Sequence, residues 1–224
     1  MDFLEIFLGI LGGLDVTLTV TAFGLLFAIP FALVAGVTQQ FLTGWRRAPV
    51  TVIIEFWRST PILVLMFMFY YTLPVAGVYL SATTVAAMTL GLHIGAYGSQ
   101  SVRAALQALD RGQVEAGLAI GLTRWQVLQT IEMPQMVVAM LPTFVNQFIQ
   151  LVKGTALVAL ITMTDMTAGA KELSQLVFDP PAIYGALMLA YFLLLYPATV
   201  LGRQLERVVG RRSGRVKGGR AGDV

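Results

Sequence analysis

No cysteine occurs anywhere in the chain, so neither a disulfide staple nor a thiolate metal site is available to it. Histidine is nearly as scarce: His93 is the only one, too few for a histidine-rich metal centre. Charge is the third shortage. Only 12% of the 224 residues are charged, against roughly 25% in an ordinary soluble chain. With 57% of residues hydrophobic, too little polar surface is left to face water. Motifs of catalysis are missing as well: there is no His-Glu-x-x-His, no Gly-x-Ser-x-Gly and no glycine-rich phosphate cradle with its lysine. The expectation is a chain with no catalytic residue, no metal and no cofactor, whose solvent is lipid.

What is present is a series of long apolar runs separated by short charged stretches. A helix needs about 20 apolar residues to cross a bilayer. Five runs approach that length: Leu14 to Val37, Thr60 to Val78, Thr83 to Leu106, Val137 to Ile161 and Ile183 to Leu205. A sixth, Thr51 to Trp57, is too short and is flanked or interrupted by Glu55 and Arg58, so it reads as an interfacial lead-in broken at Pro61. The start, Met1-Asp2-Phe3-Leu4-Glu5, lacks the basic region of a cleaved leader and reads as mature structure. The fold expected is an all-α polytopic bundle of about five transmembrane helices, one domain over residues 1–209. Residues 210–224, rich in glycine and arginine, are expected to form a disordered basic tail anchored at anionic lipid head groups rather than bound to nucleic acid.

Basic residues set the expected orientation, because Lys and Arg are retained on the cytoplasmic side. Arg46, Arg47 and Arg58 lie between the first two runs, Arg111 and Arg124 between the third and fourth, and Arg203, Arg207, Arg211, Arg212, Arg215, Lys217 and Arg220 after the fifth. The opposite loops carry only Lys171. The N-terminus is therefore expected outside and the C-terminus in the cytoplasm.

Two of the runs carry polar residues at helical spacing. In the fourth, Thr143, Asn146, Gln150 and Lys153 share a stripe, with Gln147 and Gly154 beside it; in the third, His93, Tyr97, Gln100 and Ala104 do so, with Arg103 and Gln107 following. Lipid does not tolerate such stripes. They either line a water-filled path or bond neighbouring helices, and a lysine at membrane depth favours the path. His93, with no carboxylate partner inside any run, is expected to be packed and hydrogen-bonded. Thr17, Thr19 and Thr21 alternate in the first run and read as packing or backbone-bonded residues.

The stretch Asp110 to Pro134 is too long for a simple turn and reads as two short amphipathic helices. Val114 and Leu118 mark the first, and Leu122, Trp125, Leu128 and Ile131 the second. Gly121 breaks the chain between them, and Thr123 with Gln126 has capping-box spacing. Pro134 is expected to end the second helix. Such a hairpin, with apolar and aromatic anchors, suits docking into a groove of a partner protein.

Within this hairpin Glu115-Ala116-Gly117, then Gly121, then Ile131, Met133 and Pro134 resemble the signature loop of permease subunits of ATP-binding-cassette importers, E-A-A, three residues, G, nine residues, I-x-L-P. The spacing matches throughout, with Gly117 for alanine and Met133 for leucine. Further stretches are similar to the polar amino acid branch: Arg58-Ser59-Thr60-Pro61 to R-G-T-P, Ala96-Tyr97 with Arg103 to A-Y-x-x-E-x-x-R, and Gly112-Gln113-Val114-Glu115-Ala116 to G-Q-x-E-A. Pro142, Asn146, Gln147, Phe148 and Ile149, then Lys153, Thr155 and Leu157, follow P-x-x-x-N-Q-F-I and K-D-T-S-L.

The resemblance implies the type I importer permease fold in a bacterial inner membrane. It also implies a second permease subunit, identical or related, a pair of cytoplasmic ATPase subunits and an extracytoplasmic binding protein that delivers an amino acid. Glu115, Ala116, Gly117, Gly121, Trp125 and Pro134 would then couple to the ATPase, and Tyr97, Gln100, Asn146, Gln150, Lys153, Gly154 and Thr155 would line the substrate path. Gln100 and Gly154 stand where the branch has Glu and Asp. Two negative charges are thereby lost, which favours a neutral or acidic amino acid over lysine or arginine. An ATP-independent carrier is the competing reading, against which stand the lack of an internal repeat and of acids within the runs.

Overall fold

A computed structural model describes residues 1–212, which are helical with no strand among them. The first helices are α1 (Phe3–Leu11) and α2 (Leu14–Phe41), followed by a 3-10 turn, Gly44–Arg47. Next come α3 (Ala48–Ser59), α4 (Ile62–Phe67), α5 (Ala82–Gln107) and α6 (Arg111–Ala119). The chain continues through α7 (Arg124–Val127), α8 (Met133–Gly154), α9 (Met166–Leu176) and α10 (Pro180–Arg212). The expected tail overlaps α10 up to Arg212, and the rest of it lies outside the described residues.

Three stretches are long and apolar enough to cross a membrane: Phe3–Phe41, Arg124–Ile161 and Pro180–Gly210. A fourth is a bent pair, Gly44–Ser59 and Ile62–Ala76, meeting at 98° where Pro61 interrupts the helix. The expected second span is thus not one straight helix: after α4 it widens into a π turn, Met68–Thr72, and tightens into a 3-10 turn, Leu73–Ala76. The expected third span, α5, is long enough at 26 residues, about 39 Å at 1.5 Å per residue, yet it is not apolar enough to qualify.

Packing explains why α5 need not be apolar. It touches α2, α3, α4 and α8, and Tyr97 is the one large apolar side chain it leaves exposed. The outer helices are the reverse: α2 exposes Phe23, Leu26 and Val34, and α10 exposes Met188, Phe192 and Leu193, the inside-out pattern of helices bathed in lipid. Close approach of α2 and α5 depends on small residues four apart, Gly24, Ala28, Ala32 and Gly36 on one and Ala87, Gly91, Gly95 and Ser99 on the other. A Cβ on Gly95 would stand 2.7 Å from the Ala28 carbonyl oxygen, and one on Gly91 would strike that of Gly24. Backbones meet here because side chains are absent.

Two helices absent from the sequence expectation close one end. α1 and α9 pack with α10 around Ile6, Ile10, Met166, Ala170, Ile183 and Ala186. Gly13 lies against the backbone of Asp165, whose carboxylate caps α9 by accepting from Ala168 N–H at 3.0 Å. Two of the three alternating threonines of α2 behave as expected, Thr17 donating to the Gly13 carbonyl at 3.2 Å and Thr21 to that of Thr17 at 2.7 Å, whereas Thr19 is exposed.

Candidate functional site

Two places concentrate polar chemistry. The first is a cavity of about 600 Å³ between α5 and α8, lined in part by His93, Tyr97, Gln147, Gln150, Lys153 and Gly154. Its α5 wall is fixed by the break before α4. Pro61 has no N–H to give the Trp57 carbonyl, which would otherwise be left without a donor. His93 Nδ1 lies 2.7 Å from that oxygen, and Tyr97 donates its hydroxyl to the Arg58 carbonyl at 3.2 Å. Arg58 lies 5.1 Å above the Tyr97 ring and binds Glu55 at 2.6 Å. His93 is thus hydrogen-bonded, as its isolation in the sequence implied.

The α8 wall carries the charge. Lys153 makes no ion pair among the described residues, and the lining contains no carboxylate. A lone cation beside Gln147 and Gln150 offers an anionic group a charge-assisted partner with amides to complete its hydrogen bonding.

Of the seven path residues expected from sequence, Tyr97, Gln150, Lys153 and Gly154 line this cavity and the other three do not. Gln100 points towards α2, donating to Gln39 Oε1 at 2.9 Å while Gln39 donates to Thr51 at 3.0 Å. Asn146 is exposed outside the lining, and Thr155 is fully buried with its hydroxyl on the Val152 carbonyl at 2.7 Å. The lining stripe on α8 runs through Gln147, Gln150, Lys153 and Gly154, so it keeps Gln150 and Lys153 of the expected stripe and leaves out Thr143 and Asn146. Gln147 and His93 were both visible in the sequence. His93 shares the lining with Tyr97 as the α5 stripe places it, whereas Gln147 is part of the lining although its spacing sets it beside the α8 stripe rather than on it.

The second place is the hairpin of α6 and α7. Asp110 caps α6, accepting from Gly112 N–H at 2.9 Å. Gly121 turns the chain at φ 91°, a conformation that L side chains resist. Thr123 then starts α7 in a capping box: its N–H donates to Gln126 Oε1 at 2.8 Å, and its hydroxyl accepts from Gln126 N–H at 3.3 Å. The arms close tightly at Gly117, where a Cβ would meet Val127 at 2.9 Å and Ile131 at 3.0 Å, which accounts for glycine in place of alanine. Gln135 donates to Gln113 at 2.6 Å and ties α8 to α6.

Pro134 does not end the second arm. The chain passes from α7 through a π turn, Leu128–Glu132, directly into α8, forming one stretch from Arg124 to Ile161. The wide turn, closed by Met133 N–H on the Leu128 carbonyl, accommodates the proline ring and its missing donor. The amphipathic stripes also divide differently from expectation: Val127 and Leu128 are buried, whereas Leu118, Ile120 and Trp125 are exposed by 45, 79 and 61%. Glu115 and Ala116 share that exposed side of the hairpin. The hairpin thus carries an apolar, aromatic tip on a tightly closed base.

Comparison with known proteins places this geometry. A sequence profile described as binding-protein-dependent transport system inner membrane component matches residues 28–215. The chain is 32% identical over 215 residues to the probable amino-acid ABC transporter permease protein y4tF of Sinorhizobium fredii, covering 93% of this chain and 90% of that one. It is 31% identical over 198 residues to the glutamine transport system permease protein GlnP of Escherichia coli, covering 87% and 90%. A crystal structure of an amino acid ABC transporter with histidines superposes with a TM-score of 0.76 at 26% identity, over 92% of this chain and 98% of that one.

Proposed function

We propose that this chain, which belongs to the family of binding-protein-dependent transport system inner membrane components, is the membrane-spanning permease subunit of an ATP-driven amino acid importer. The observation that carries this is the hairpin: a rigid, capped and tightly closed pair of helices joined without a break to a membrane-crossing helix, presenting Ile120 and Trp125 outward. Seated in a cytoplasmic ATPase, the hairpin moves when the ATPase moves, and α8 moves with it. Glu115, Ala116, Gly117, Gly121 and Trp125 make or shape that contact, while Pro134 sets the π turn behind it. Hydrolysis itself belongs to the ATPase.

In this reading the hairpin and the basic stretch Trp45-Arg46-Arg47 face the cytoplasm, and the N-terminus faces outward, where a binding protein delivers the substrate. The exposed amide of Asn146 on α8 is poorly suited to lipid and is covered by a second permease subunit. The cavity of Tyr97, Gln150, Lys153 and Gly154 lies on the substrate path, and its uncompensated lysine favours a neutral or acidic amino acid over lysine or arginine.

The test is purification of the tagged chain from its native membrane in mild detergent, with its partners identified by mass spectrometry. An ATP-binding-cassette ATPase should be retained, together with the second permease, and should be lost when Gly121 or Glu115 is replaced. Recovery of the chain alone, under conditions that preserve known transporter complexes, would favour the ATP-independent carrier. Uptake that prefers arginine would overturn the substrate assignment but leave the permease role intact.

A further inference from the structure

Eight positions separate Arg124 from Glu132, and on a regular α-helix that spacing sets two side chains about 80° apart around the axis. The π turn at Leu128–Glu132 absorbs one residue, which brings the two onto one face about two turns apart. They meet as a bidentate pair: Arg124 Nη2 donates to Glu132 Oε1 at 2.9 Å, and Nη1 donates to Oε2. The Glu132 side chain is only 6% exposed, so its charge depends on this partner. The same guanidinium lies 4.6 Å over the ring of Phe41, the last residue of α2. Hollows flank it on both sides, one of about 520 Å³ bordered by Gln40 and Glu115 and one of about 380 Å³ bordered by Val37 and Trp125. Arg124 therefore forms a strut from the base of the hairpin to the end of α2.

We propose that Arg124, Glu132 and Phe41 form the joint that passes hairpin movement into α2 as well as α8, with Arg124 and Glu132 as positioning residues for coupling. The inference rests on the permease reading. Continuity of the backbone already links the hairpin to α8. The ion pair adds the second helix, and through the α2–α5 seam it reaches the wall of the cavity. Without it, the ATPase still engages the hairpin tip, but less of the movement reaches the path.

The experiment uses the complete complex of permease, ATPase and binding protein in proteoliposomes, comparing the unmodified chain with Glu132→Gln and Phe41→Leu. Because the chain has no cysteine, Gln129→Cys on the second arm with Thr43→Cys beyond α2 places two nitroxide labels on it away from the proposed ATPase contact, in a complex whose other subunits are cysteine-free. Glu132→Gln should keep its ATPase, consume at least about fivefold more ATP per amino acid imported, and broaden the label distance distribution. Phe41→Leu, which removes only the stacked ring from a partly exposed position, should shift both readouts in the same direction by less. It carries the test if Glu132→Gln fails to accumulate. An unchanged ratio of ATP to transport, or an unchanged distance distribution, overturns the joint. Absence of an ATPase from the unmodified chain would instead overturn the permease reading on which the joint depends.

Discussion

Most bonds that shape the hairpin join residues close in sequence, whereas the cavity is walled by residues from distant helices. Thr123 and Gln126 are three apart and the turn at Gly121 is closed by its neighbours, Gly121 N–H on the Leu118 carbonyl at 3.0 Å and Leu122 N–H on that of Gly117 at 3.1 Å, but His93 reaches the Trp57 carbonyl across 36 positions and Tyr97 that of Arg58 across 39. The consequence is a division of labour. A locally determined hairpin is built to keep its shape when the helices around it shift, as the proposed ATPase contact would have to. A cavity assembled from α4, α5 and α8 changes shape whenever those helices move, as the proposed substrate path would have to.

The strongest way to break this comparison is Gly121→Val. At φ 91° a side chain costs about 1–2 kcal/mol, and a β-branched one more, with nothing within 4 Å of the added Cβ to complicate the result. Retention of the ATPase on affinity purification should fall at least about tenfold, a factor that corresponds to about 1.4 kcal/mol. Substrate preference of whatever uptake survives should be unchanged. A shifted preference would mean that the hairpin and the cavity are not separable.

The reciprocal change is Lys153→Ala, at the cavity's one unpaired charge. A hydrogen bond to a charged group contributes about 1.5–3 kcal/mol, so uptake at low substrate concentration should drop roughly tenfold or more. ATPase retention should match that of the unmodified chain. Undiminished uptake would show that Lys153 is not used by the substrate and would remove the argument from charge for a neutral or acidic amino acid.

How much of each region the sequence displays follows from the same contrast. Capping spacing, the turn glycine and the apolar anchors are local signals, so the hairpin was legible nearly in full. Two features were misread: the split of the apolar stripes, which exposes Leu118 and Trp125 and buries Val127, and the stop expected at Pro134, which fails because a proline can be absorbed by a π turn that leaves no mark in the residue pattern. The all-α membrane bundle was legible from apolar runs. The interior place of α5 was not read, although its cause is plain in retrospect: Gly91, Gly95 and Ser99 repeat every four residues opposite Gly24, Ala28 and Gly36. For the cavity, residue types were legible and rotation was not. Gln100 sits one turn from Tyr97, yet the Gln39 amide draws it towards α2. No periodicity within α5 records what α2 presents to it.

The smallest effect sharpens the comparison most, because its size follows from sequence spacing alone. Thr123→Ala removes the capping oxygen that Gln126 N–H uses and leaves the Gly121 turn untouched. Loss of an N-cap costs about 1 kcal/mol, or roughly a fivefold change in the fraction of ordered hairpin. Packing of Gly117 against Val127 and Ile131, and the Gln113–Gln135 bond, still hold the arms together, so much of that cost should be absorbed. ATPase affinity measured by titration into detergent-solubilised permease should therefore fall by less than about fivefold, with Thr123→Ser restoring it. A loss as large as that of Gly121→Val would show that the arms are held by the cap rather than by their contacts, and the hairpin would then be far less rigid than a coupling element requires.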